Sequence, residues 1–206
     1  MFFLCTQNFF YDKMNIGDSM ANLDNIKVIL DNNHNINNEV KDNLFELIVI
    51  FNNKFPEVNL DNLEKHLKTL KIKKTNKFLN QDISMYDHKN NVLYFNKGRM
   101  NEEYDYRHVL MFELINIISS NSYQTGFNVD GKFEALNTGY TEILANFLVG
   151  NNGEKLIYPN EAIYANMIGI IAGEDKLFES YFNNDAKILL NALVEAGVTL
   201  WWILTN

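Results

Sequence analysis

Only two prolines, Pro56 and Pro159, and ten glycines interrupt the 206 residues of this chain. Proline and glycine end helices and close tight turns, so a chain poor in both favours long helices over a turn-rich all-β fold. The apolar pattern agrees. Between Asn38 and Phe51, the residues Val40, Leu44, Leu47, Ile48 and Phe51 recur at the three- and four-residue spacing of one helical face. Phe55-Pro56 ends that helix, because a residue before proline is driven out of the helical region. Asn59 or Asp61 can cap a second helix carrying Leu60, Leu63, Leu67 and Leu70. The segment from Asn22 to Leu30 is apolar-periodic and reads as helix or strand. The basic run from Lys68 to Lys74 reads as a solvated strand or helix end.

Residues 83–96 have the form of a β-hairpin. Ile83, Met85 and Val92, Tyr94 flank the turn-rich tip Asp87-His88-Lys89-Asn90-Asn91. A strongly apolar helix is expected from Asp105 to Ile118. Another is expected from Asn137 to Val149, stopping at Gly150-Asn151-Asn152-Gly153. Three more fit residues 160–172, 175–182 and 185–203, with Asn160 capping the first and Gly173 closing it. The expected class is α+β, mostly α, in one domain over 1–206. Its parts are an irregular lead-in at 1–20, N-terminal helices and hairpin at 21–104, and a helical core at 105–206.

Composition narrows the function classes. Hydrophobic residues make up 47% of the chain, too many for a disordered polymer. The net charge of −8 and pI near 5.0 argue against a nucleic-acid partner, which needs a basic face. The single cysteine, Cys5, permits no intrachain disulfide and suits a reducing compartment, the cytoplasm. The apolar start from Met1 to Cys5 lacks a basic n-region, so a lead-in is expected there and not a secretory signal. Ile188 to Thr205 approaches the length of a membrane span. However, Glu195 sits mid-run, where a charge costs about 2.5–3.5 kcal/mol. A buried C-terminal helix with Leu189, Leu193 and Ala196 on one face is the better reading. Its Leu200-Trp201-Trp202-Ile203-Leu204 end packs on the body or forms an apolar patch. His34, His66 and His88 fall on polar or turn segments and read as solvent-facing. No glycine-rich phosphate loop occurs, and no nucleophile elbow surrounds Ser119, Ser120 or Ser122.

The stretch from Tyr106 to Gly150 reads YRHVLMFELINIISSNSYQTGFNVDGKFEALNTGYTEILANFLVG. It resembles the active-site region of zincin-type zinc metallopeptidases in the gluzincin arrangement. Those proteins carry H-E-x-x-H on one helix and open the next with N-E-G. Two histidines four residues apart lie on one helical face and grip one zinc ion. The glutamate beside the first histidine activates the zinc-bound water, and the glutamate of the next helix is the third ligand. Here the first frame falls on Phe112-Glu113-Leu114-Ile115-Asn116 and the second on Asn137-Thr138-Gly139. Glu113 keeps the place of the general base. Phe112, Asn116 and Thr138 stand where the three ligands would be.

The resemblance therefore implies a zincin-like fold without its metal. Phe112 has no lone pair, Asn116 offers one amide oxygen, and Thr138 a neutral hydroxyl, which together make no zinc site. His108 and Glu142 lie one helical turn from positions 112 and 138, so a rebuilt set of His108, Glu113 and Glu142 is conceivable. Tyr123 and Tyr140 are expected beside the old cleft, and Glu113, among apolar neighbours, should titrate high. The expected function is that of a pseudoenzyme binding a peptide or protein partner, by strand pairing along residues 92–96. The alternatives are a zinc hydrolase with unusual ligands, and a non-catalytic or membrane-peripheral protein using its Trp201-Trp202 end.

Overall fold

The computed structural model describes residues 16–75, 82–99, 105–151 and 156–197, with side chains from residue 23 onward. Helix α1 (Ile16–Asn32) comes first, so the lead-in expected to be irregular to residue 20 is already helical from Ile16. Its register is set downstream, where Ile26 and Leu30, four residues apart, are fully buried. Packing of one apolar stripe carries a helix through turns that are polar by composition. Helix α2 (Asn38–Lys54) is capped by Asn37, whose side chain accepts from the Val40 N–H, and ends at Phe55 as the Phe55-Pro56 step requires. Helix α3 (Asp61–Leu67) has Leu60 at its cap, and neither Asn59 nor Asp61 occupies that position. The Asn59 amide oxygen instead accepts from the Asp61 N–H at 2.6 Å, holding the turn one residue early.

Strand β1 (Lys71–Thr75) is formed by the basic run, followed by β2 (Ser84–Asp87) and β3 (Val92–Asn96). The hairpin of β2 and β3 is antiparallel, as its alternation predicts, but β1 adds to its far side in parallel, giving the order β1-β3-β2. This overturns strand pairing by a partner along 92–96: β3 is the central strand, and both its edges are taken. The outer strands are β1 and β2. Exposed Lys71, Lys73 and Lys74 on β1 oppose further edge-to-edge pairing.

Helix α4 (Tyr106–Ile118) starts at Asp105, whose carboxylate accepts from the Arg107 N–H. Every residue from His108 to Ile118 is buried. A helix buried all round sits at the centre of its domain, and α4 packs against α2, α3 and β2 as well as the helix that follows. That next helix, α5 (Glu134–Val149), begins a turn before Asn137 and ends at Gly150, whose φ of 80° is left-handed. Helices α6 (Pro159–Ala172), α7 (Glu174–Asn183) and α8 (Ala186–Glu195) complete the described chain. Tyr158 and not Asn160 is the cap of α6, because Pro159 takes the first helical position, where its missing N–H costs nothing. Gly173, at φ 95°, closes α6 as expected.

The last helix was expected to reach residue 203. Within the described residues it ends at Glu195, and Gly197 turns left-handed at φ 84°. Leu189 and Leu193 are buried, while Ala196 is exposed just past the helix. Cys5, Asn152-Gly153 and the Leu200–Leu204 end with its tryptophans lie outside the described residues. Buried side chains from Ile26 to Leu193 form one continuous apolar cluster. The fold is α+β and mostly α. Among the described residues no helix is long and apolar enough to cross a membrane.

Candidate functional site

Glu113 points from α4 into the interior with 1% of its surface exposed. Its carboxylate accepts from the Asn116 Nδ2 at 3.2 Å and from the hydroxyl of Ser84 on β2. Burial pushes its pKa up to about 7 from an ordinary 4.5, helped by the nearby Asp82 carboxylate and partly offset by the two hydrogen bonds. The raised value expected from its apolar neighbours is thus present.

Asn116 is the hub. Its amide nitrogen donates to Glu113, and its amide oxygen faces Asn137 Nδ2 at 3.5 Å and Thr141 Oγ1 at 3.4 Å. Its backbone carbonyl takes the Ser120 hydroxyl at 2.6 Å. Thr141 in turn donates to the Asn137 carbonyl and meets the Tyr181 hydroxyl at 2.6 Å. The Asn137 amide oxygen accepts from the Phe127 N–H at 3.0 Å, tying the loop before α5 to the same point. Gly126 makes that close approach possible: at φ 53° a side chain there would collide with the Tyr181 ring and the Asn137 amide.

The side chains at the three degenerate ligand positions are not zinc donors. Phe112 stacks at 5.4 Å on Tyr158, just before α6, and so contributes a ring to an apolar contact. Thr138 is half-buried and takes no part in the network; the α5 side chains that reach Asn116 are Asn137 and Thr141. A zinc ion needs imidazole, thiolate or carboxylate donors within about 2.3 Å. Among the described residues no group of three His, Cys, Asp or Glu is placed to supply them. The donor set does not fit the metal that the resemblance implies.

His108 and Glu142 do meet. They form a fully buried pair, His108 Nε2 to Glu142 Oε1, at 3.1 Å between α4 and α5. The contact is too far out of line for a full hydrogen bond, which leaves Nε2 poorly satisfied, and Glu142 Oε2 has no partner among the described residues. Asn151 lies 3.2 Å from His108 Nδ1, and the Ile157 N–H donates to Glu142 Oε1 at 2.8 Å. Among the described residues no such metal-holding group forms, so the rebuilt set of His108, Glu113 and Glu142 is not assembled there.

Tyr140 is buried in an edge-to-face cluster with Phe127 and Tyr181. Tyr123 is 78% exposed on the turn after α4, where its backbone N–H is held by Asn121. His34 is exposed as expected, but His66 is half-buried, with Nδ1 3.0 Å from the Tyr86 hydroxyl, and His88 is half-buried too. Burial holds the His66 pKa below its ordinary value.

Two features were not foreseen. Ser84 brings β2 onto Glu113. In the antiparallel ladder Asn96 donates to the Ile83 carbonyl, so Met85 and Asp87 also bond to β3. Ser84 and Tyr86 therefore turn their backbone N–H and C=O outward, away from β3. A cavity of about 670 Å³ also opens at the C-terminal end of α4, lined by Glu57, Asp61, Lys65, Ile118, Phe178 and Phe182 among others. Its walls come from three separate segments, and no local motif marks it. The chain matches no family model, no curated protein and no solved structure.

Proposed function

We propose that this chain is a catalytically inactive metallopeptidase-like protein that binds an extended peptide or protein segment without cleaving it. The observation that carries the reading is the hydrogen bonding of Asn116. At the position of a would-be ligand stands an amide whose nitrogen donates to Glu113 and whose oxygen faces the Asn137 side-chain amide. Such a network satisfies its own polar groups and needs no ion to do so.

The binding surface assigned to the partner is the outer edge of β2. It runs beside α4, turns the polar backbone of Ser84 and Tyr86 outward, and exposes Met85. An extended segment adds to such an edge through main-chain hydrogen bonds. A cytoplasmic setting suits a chain with one cysteine, and its acidity favours protein partners over nucleic acid.

The test has two arms. After dialysis against trace zinc, elemental mass spectrometry should find far less than one zinc per chain, and a peptide library should yield binders but no cleavage. Near-stoichiometric zinc with Glu113-dependent hydrolysis would overturn the reading. In the second arm, Phe112→His, Asn116→His and Thr138→Glu are combined. The triple variant should gain zinc; a folded triple variant that takes up none would break the alignment with the metallopeptidase frame.

A further inference from the structure

Helix α6 breaks the usual rule for a surface helix. Its inner face, with Ala162, Ala165, Ile168 and Gly169, packs against the molecule. Its outer face carries Ile163, Tyr164, Met167, Ile170 and Ile171, each between 40% and 67% exposed. No charged residue lies on that stripe. A helix apolar on both faces is normally buried on both. Five large side chains in one row are also more than the scattered apolar residues of an ordinary surface.

The spacing of the stripe suits a second copy of itself. Ile163 and Ile171 lie four residues either side of Met167, and Tyr164 and Ile170 lie three either side. The row is palindromic about Met167. An antiparallel helix pair related by a two-fold axis can pack such a row on itself: residue i meets residue j, and j meets i. Turned onto itself, the stripe sets Met167 against Met167, Ile163 against Ile171 and Tyr164 against Ile170. We propose that α6 is a homodimer interface, packed antiparallel on α6 of a second copy with Met167 at the two-fold axis.

Charge and area agree. The chain carries a net charge of −8, so two copies repel over most of their surfaces, but the stripe brings no carboxylates face to face. A lipid surface fits less well, because interfacial helices flank their apolar face with lysine and arginine, and α6 has neither. The five side chains offer roughly 500 Å² of apolar surface. The smaller stable interfaces take about 600 Å² per partner. Exposed Val194 on the neighbouring α8 and the flanking Asn160 and Asn166 supply a rim.

Light scattering on the purified full chain should give twice the 24.0 kDa protomer mass at tens of micromolar. Ile170→Glu should return it to the monomer with an unchanged circular dichroism spectrum. The axis has its own test, in a Cys5→Ser background. Met167→Cys should cross-link to a covalent dimer under mild oxidation, while Val28→Cys, exposed on α1, should not. A monomer at every concentration would overturn the proposal, as would a dimer indifferent to Ile170→Glu. So would a dimer in which Met167→Cys fails to cross-link, or a monomer that floats with phosphatidylcholine vesicles and loses this with Ile170→Glu.

Discussion

At the scale of single residues, Glu113 ties sequence to stability. A carboxyl with a folded-state pKa of about 7 and an ordinary value of 4.5 binds its proton more tightly in the folded chain. Between those values the folded state holds more protons than the unfolded one, so stability falls as pH rises. The contribution is fully present below pH 4.5 and lost by the time pH has passed 7. The difference corresponds to about 3 kcal/mol. Glu113→Gln should remove this slope, so that the variant overtakes the parent chain at pH 8 but not at pH 4.5. Urea melts at pH 4.5, 6, 7 and 8 measure it; parallel pH dependences in the two proteins would place Glu113 in water. The burial of Glu113 was legible in its sequence neighbours. Its partner Ser84 was not, because the two are joined only when β2 folds onto α4.

At the scale of elements, α4 and α5 were legible because each carries its own end signals, Asp105 before one and Gly150 after the other. What holds them to each other was less so. Gly139 lies where α5 meets the start of α6, and a methyl group there would collide with the Glu161 backbone. In this chain the glycine of the Asn137-Thr138-Gly139 frame is thus a packing residue. The candidate ligands His108 and Glu142 do converge, as a buried contact between the two helices. Removing the histidine leaves the buried Glu142 carboxyl with fewer polar neighbours, and an unmet buried polar group costs about 1–3 kcal/mol. His108→Ala should therefore destabilise strongly, and His108→Ala combined with Glu142→Gln should cost less than the sum of the two single changes. A double-mutant cycle by urea unfolding reads the coupling. Additive costs would mean that the 3.1 Å contact contributes nothing to the α4–α5 interface.

At the scale of the molecule, the parts the sequence left open are those that depend on distant segments. The parallel pairing of Lys71–Thr75 with Val92–Asn96 has no local signature, since periodicity marks a strand but not its neighbour. The outer face of α6 could not be told from its inner face, because both are apolar. One feature of the whole was legible in one segment: a run as apolar as Val109–Ile118 can only be the centre. Helices α2 and α3, strand β2 and helix α5 all bury surface against it, so neither the N-terminal helices nor the C-terminal ones keep a core once α4 is lost. Elements that share one central helix unfold together. Thermal and urea melts should give one coincident transition. In hydrogen exchange the α4 amides should be protected to the full global stability, and those of α1 and α8 less. Two separated transitions, or α4 amides exchanging faster than those of α2 or α5, would show two halves that fold independently and meet at α4 only as a surface.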